Sequence, residues 1–195
     1  MNDKTDSHPY VRLARTTISR LLNGKPLHGE PPQDELPQGE PPSASAVDTG
    51  DDELWKIQRA CFVSIKTLYG DLRGCIGTIL PARPTLDLEI ISNSIAASTR
   101  DPRFPPMKAQ ELQNVTLSVD VLSLPEPISD RGELDPGVWG VIVSRGMLRG
   151  VLLPDLEGVD TVEQQLGIAA RKAGILRIDD AVTIERFRVD RYKER

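Results

Sequence analysis

Two stretches decide how this chain folds: FVSIKTLYGDLRGCIGTILP, residues Phe62–Pro81, and VIVSRGMLRGVLLP, residues Val141–Pro154. Each reads as an apolar strand, a short turn containing Gly70 or Gly146, the tripeptide Leu-Arg-Gly, a second apolar strand and a proline. Each is followed by a helical pattern with an Ala-Ala pair, TLDLEIISNSIAASTR (Thr85–Arg100) and TVEQQLGIAARKAG (Thr161–Gly174). A further strand follows each helix, VTLSVDVLSL (Val115–Leu124) and VTIERFRVDRY (Val182–Tyr192). The Leu-Arg-Gly copies lie 76 residues apart and the Ala-Ala pairs 73. That difference equals the shortening between Leu-Arg-Gly and proline in the second copy, so the internal alignment is self-consistent. The duplication predicts an α+β fold, with two similar β-hairpin–helix–β repeats around a mainly antiparallel, barrel-like sheet.

Upstream of the repeats, Pro9–Leu22 has an amphipathic helical pattern, with Ser7 or His8 ahead of Pro9 and Asn23-Gly24 as the stop. The pattern then disappears: residues 26–42 hold six prolines with Gly29, Gly39 and several acids. The expected organisation is an N-terminal helix within 1–24 packing on the body, a Pro-rich linker or loop over 25–52, and a duplicated α+β domain over 53–195. Between the repeats, the prolines of Asp101-Pro102-Arg103-Phe104-Pro105-Pro106 forbid a continuous helix and predict a compact turn. A short helical turn is expected over Met107–Leu112.

Composition removes several function classes. The 195 residues carry 29 acids and 24 Lys and Arg, a formal charge of −5, which argues against broad non-specific nucleic-acid binding. Two cysteines cannot build a disulfide framework, so a reducing cytoplasm is the expected compartment. Both histidines, His8 and His28, precede the repeats, so a protein-held zinc or iron site is not expected, and no cofactor is predicted. No uncharged run approaches the roughly 20 residues needed to span a bilayer. There is no GxGxxG, P-loop, HExxH or CxxC pair.

The hexapeptide Leu72-Arg73-Gly74-Cys75-Ile76-Gly77 is the sharpest chemical feature. Strand alternation sends Leu72, Ile76 and Leu80 to an apolar face with Val63 and Ile65. Arg73, Cys75 and Gly77 then share the other face with Phe62, Ser64 and Lys66. A turn centred on Tyr69-Gly70 sets Ser64 opposite Cys75 and Cys61 opposite Thr78, which disfavours a Cys61–Cys75 disulfide. Gly74 and Gly77 leave the backbone uncovered for close approach by a ligand or another segment. Cys75 is either a nucleophile or ligand contact favoured by Arg73 or Lys66, or a small, well-packed strand residue. No obvious Cys–His pair exists unless His8 or His28 folds back.

Three further residues complete the candidates. Asp101 caps a turn with Arg103 pairing locally, or the two form a clamp for an anionic group. Asp120 shares a strand face with Thr116 and Ser118, either toward solvent or as a general base in the cleft of Cys75.

LRGCIGTILP, the DPRFPP segment, VDVLSLPEPI, LLPDLEGVDTVEQQLGIAARKAGI and the terminal RFRVDRY together resemble the AMMECR-type domain family, over nearly the whole chain from about His8. The resemblance implies an α+β fold with two similar repeats, and places the family signature on Leu72 to Gly77. It also implies two partners, a Memo-type protein and a radical S-adenosylmethionine (radical SAM) enzyme, which would supply metal and redox chemistry that this sequence lacks. Two functions stay open: an enzyme or enzyme subunit using Cys75, with Arg73, Gly74, Gly77, Asp101, Arg103 and Asp120 around it, and a non-catalytic binding or scaffold subunit.

Overall fold

A computed structural model describes residues 7–27 and 56–194 of the chain. The Pro-rich segment expected over 25–52, apart from Lys25–Leu27, and the expected start of the body near Glu53 lie outside the described residues.

Helix α1 (Pro9–Leu22) starts on a proline, which fits the first helical position because no N–H is needed there. His8 caps it: the Nδ1 atom accepts the Tyr10 N–H at 3.4 Å. The apolar stripe Tyr10, Val11, Ala14 and Ile18 is buried. It joins a core with Val63 and Ile65 of β1 (Cys61–Thr67), and with Leu86, Ile90 and Ala97. Each fully buried aliphatic side chain of this kind contributes about 1.5–3 kcal/mol.

Strands β1 and β2 (Leu72–Gly77) form the first hairpin; α2 (Leu86–Thr99) follows, and β3 (Val115–Leu122) returns to pair with β1. A two-residue strand, β4 (Glu126–Pro127), precedes the second copy. There β5 (Gly140–Arg145) and β6 (Leu148–Leu152) form the hairpin, α3 (Val162–Lys172) follows, and β7 (Thr183–Phe187) pairs with β5. With β8 (Val189–Lys193), the sheet orders are β2-β1-β3-β8 and β4-β7-β5-β6. Both sheets are open and four-stranded, so the barrel-like arrangement is not a closed barrel. Contacts gather into two compact units, one running to Val121 plus Arg191–Arg195 and the other spanning Leu122–Asp190. Each unit holds one repeat. No helix among the described residues is long and apolar enough to cross a membrane.

The repeats agree at the rung of the Leu-Arg-Gly glycine. Ile65 sits between Gly74 and Leu117 as Val143 sits between Gly150 and Ile184. The Leu-Arg-Gly glycine backs onto the helix in both: a Cβ on Gly74 would lie 2.2 Å from the Ala97 carbonyl oxygen, and one on Gly150 only 1.9 Å from that of Ala169. The contacting alanines are 72 positions apart, not 73: the first helix meets its glycine through its second alanine, the second helix through its first. The capping residues Thr85 and Thr161 are 76 apart. The second helix has therefore lost four residues, about one turn, between cap and contact, which keeps the same face inward.

Two features differ from the sequence reading. The single strand expected over Val182–Tyr192 divides at Arg188. The Arg188 N–H donates to Ser123 Oγ and its carbonyl accepts the Ser123 N–H, each at 2.9 Å. Its peptide groups are thus satisfied by Ser123, and β7 and β8 serve different sheets. A bulge between Ile65 and Lys66 sets Lys66 opposite Leu72 and leaves Arg73 without a partner across the hairpin. Leu72 consequently leaves the apolar face and is 38% exposed, while Ile76 stays packed against the core; Leu80 is 48% exposed because it lies past the end of β2.

Candidate functional site

The candidate residues lie in the first unit, at the edge and on one face of its sheet. Cys75 faces Ser64 across the hairpin and Ser64 faces Ser118, so the three form one rung. The thiol is half-buried and accepts a hydrogen bond from Ser64 Oγ at 3.2 Å. The next rung holds Gly77, Phe62 and Asp120. A Cβ on Gly77 would fall 2.3 Å from the Phe62 ring, so both glycines of the hexapeptide accommodate other parts of the chain, Gly77 the ring and Gly74 the α2 backbone.

Strand β2 is an edge strand, and the peptide groups of Cys75 point away from β1. Asp101 Oδ2 accepts the Cys75 N–H at 2.9 Å, and Arg103 Nη2 donates to the Cys75 carbonyl at 3.0 Å. The Asp-Pro-Arg turn therefore supplies the acceptor and donor that a neighbouring strand would supply, and it closes this edge. Asp101 is buried. It also accepts from Arg103 Nε at 2.9 Å, Arg103 Nη2 at 2.7 Å and the Arg103 N–H at 3.1 Å. The guanidinium, with the two N–H donors, holds the Asp101 carboxyl well below the usual carboxylate range, and the same pairing raises Arg103.

Arg73, the bulged residue, reaches the turn segment. Its Nε and Nη2 donate to the two carboxylate oxygens of Glu111 at 2.7 and 3.2 Å, and Nη2 also reaches the Pro105 carbonyl at 3.1 Å. Glu111, on a 3-10 turn (Ala109–Asn114), is held low by that guanidinium. The Phe104 ring has Arg73 and Arg103 at 6.0 and 5.5 Å from its centroid, within cation–π range. Asp120 is buried and bidentate with Arg191, at 2.8 and 3.1 Å. It shares the Cys75 face but stands two strand spacings, roughly 10 Å, across the sheet. Lys66 is exposed on that face. His8 caps α1 and stacks on Tyr192, with ring centroids 4.0 Å apart; His28 lies outside the described residues. Among the described residues no group of three or more His, Cys, Asp or Glu is placed to hold a metal ion.

Sequence reading missed Ser64 as a thiol partner, and also Glu111, Arg191 and the buried Glu89. Glu89 accepts from Thr78 Oγ1 and from the Ala82 and Arg83 N–H groups at 2.9 and 2.8 Å, fastening the loop that leaves β2. Only the hairpin register pointed to Ser64; Glu111 and Arg191 meet partners 38 and 71 positions away, and Glu89 reaches back to the loop just before its own helix.

Cys61 lies on the opposite face, fully buried beside Asn93, and burial pushes its thiol up to about 12. A disulfide-exchange reagent such as DTNB is therefore expected to titrate one thiol, Cys75, in the native protein and two in guanidinium chloride. Two equivalents released natively at comparable rates would show that Cys61 is not sealed in the core.

With this geometry in place, comparison with known proteins identifies the chain. Residues 11–193 match the AMMECR1 family model. The chain belongs to the AMMECR1 family. A relative from Thermotoga maritima is 57% identical over 142 residues, covering 73% of this chain and 82% of its own. One from Clostridium acetobutylicum is 44% identical over 191 residues, covering 98% of this chain but 37% of its own length. One from Methanothermobacter thermautotrophicus is 41% identical over 110 residues, covering 53% of this chain and 56% of its own. The AMMECR1 fold seen here is similar to the crystal structure of an uncharacterized protein, PH0010, from Pyrococcus horikoshii. The TM-score is 0.76 at 30% identity, over 98% of this chain and 94% of that one.

Proposed function

We propose that this AMMECR1 protein is a binding subunit of an AmmeMemoRadiSam-type system. In this reading it presents the Cys75 edge and sheet face to a Memo-type or radical SAM partner, in a reducing cytoplasm. The observation that carries the reading is the state of the groups around the thiol. Asp101 is spent on the Cys75 N–H and Arg103, and Asp120 on Arg191. The sulfur accepts from the Ser64 hydroxyl and has the Arg103 guanidinium beside it, which is itself tied to Asp101. A nucleophilic thiol needs a group to take its proton, and both candidate carboxylates are already engaged by arginines. Cys75, Arg73, Gly74, Gly77, Asp101 and Arg103 then act as a shaped contact surface. The Clostridium relative, in which the matching region is a minor part of a longer chain, supports a role alongside other domains.

The test is a reconstituted three-protein assay. Cys75→Ser is expected to retain partner binding, and turnover within about twofold of wild type, because serine keeps the size and hydrogen bonding of the site. Preserved binding with turnover lowered a hundredfold or more would instead establish the competing reading, in which Cys75 is the nucleophile of an enzyme subunit.

A further inference from the structure

The net charge of −5 is an average over parts of opposite sign. Residues 28–55 hold eight carboxylates and no Lys or Arg. The described residues of the first unit hold fourteen Lys and Arg against seven Asp and Glu. At the surface nine of those cations are exposed, two of them (Arg103 and Arg191) ion-paired, and Asp71, in the turn of the first hairpin, is the single exposed acid. The other six carboxylates do not reach solvent as free charges. Asp87 and Glu89 are buried, while Asp101, Glu111, Asp120 and Glu194 are paired with Arg103, Arg73, Arg191 and Arg15.

Part of this charge falls on the face that carries Cys75. Lys66 lies on β1 two residues beyond Ser64. Arg191 lies on β8 against Asp120, and alternation puts Lys193 on the same side. Arg103 stands at the edge, 53% exposed while holding Asp101. The hairpin that bears the hexapeptide ends in Leu68 and Tyr69, which are 61% and 95% exposed.

We infer that this face and hairpin tip form the docking surface for a protein partner whose own contact surface is acidic. Lysines at the rim steer an oppositely charged partner and fix its register, while an exposed tyrosine supplies the apolar anchor typical of interface hot spots. A protein is the occupant that the Clostridium relative favours, because there the matching region is covalently part of a much longer polypeptide. The inference rests on the binding-subunit reading and gives that partner its chemistry.

The experiment uses the full chain and two fluorescent probes of equal charge, a polyglutamate peptide and an oligothymidylate, followed by anisotropy at rising salt. Polyglutamate is expected to bind at low salt, more tightly than the oligonucleotide, and to weaken steeply toward physiological ionic strength. The double variant Lys66→Glu/Lys193→Glu is expected to lose about tenfold in affinity, while Arg171→Glu on the second unit changes it less than twofold. Preference for the oligonucleotide, or no loss in the double variant with an unchanged urea midpoint, overturns the inference. None of these readouts depends on Cys75, so a turnover defect in Cys75→Ser would sink the functional reading separately.

Discussion

Replacing Gly150 by alanine is expected to destabilise the protein by about 3 kcal/mol or more, with Gly74→Ala close behind. The added methyl at Gly150 would stand 1.9 Å from the Ala169 carbonyl oxygen and 2.9 Å from the Ala173 nitrogen; at Gly74 it would stand 2.2 Å from the Ala97 carbonyl oxygen. These neighbours are helix backbone, which cannot turn aside as a flexible side chain can. Sheet and helix must separate, and the cores that hold Val143 with Ala169, and Ile65 with Ala97, open along with them. Urea unfolding at pH 7 reads the change directly, and Gly146→Ala, at an open turn with φ 57°, is the control for backbone preference alone. If Gly150→Ala and Gly74→Ala cost no more than Gly146→Ala, the close approach is not a determinant of stability.

Replacing Asp101 by alanine is expected to cost about 3 kcal/mol at pH 7, because it leaves the Cys75 N–H without its acceptor and Arg103 without its counter-charge. The figure sits at the low end for a broken buried pair because the half-exposed guanidinium can rehydrate. The carboxyl titrates lower in the folded chain than in the unfolded one. Its contribution is therefore complete above the unfolded value of about 3.9 and is lost as pH falls below it toward the folded value. Wild type and Asp101→Ala should accordingly differ most near neutrality and converge in strong acid, with thiol labelling at Cys75 faster in the variant at neutral pH. A constant difference between pH 7 and pH 2 would mean that the carboxylate charge is not what holds the edge.

Much of the architecture was legible in local pattern. The helix Pro9–Leu22, both hairpins and the pairing of Ser64 with Cys75 follow from apolar periodicity and from the placement of Gly70 and Gly146, and these need only short-range information. The division of the last strand at Arg188 was not legible, because Ser123, 65 positions away, takes its peptide groups. The bulge that turns Arg73 toward Glu111 was equally hidden, since one extra residue in a hairpin leaves no mark on a pattern of two.

The candidate site divides along the same line. Asp101 and Arg103, two residues apart, could be read as a turn with a local ion pair. That the turn closes a strand edge at Cys75 could not, because the partner peptide is 26 residues away. Nor could the fate of Asp120 be read: a carboxylate in a polar strand position looks solvent-facing until Arg191 arrives beside it.

The sequence by itself determined the duplication, since a repeated Leu-Arg-Gly against a repeated Ala-Ala pair demands two hairpins each packed closely on a helix. Tertiary structure alone decided which face of each sheet is buried, which carboxylates are neutralised, and which cations of the first unit reach solvent. Charge counts add along the chain, whereas exposure and pairing depend on which remote residues folding brings within 3 Å.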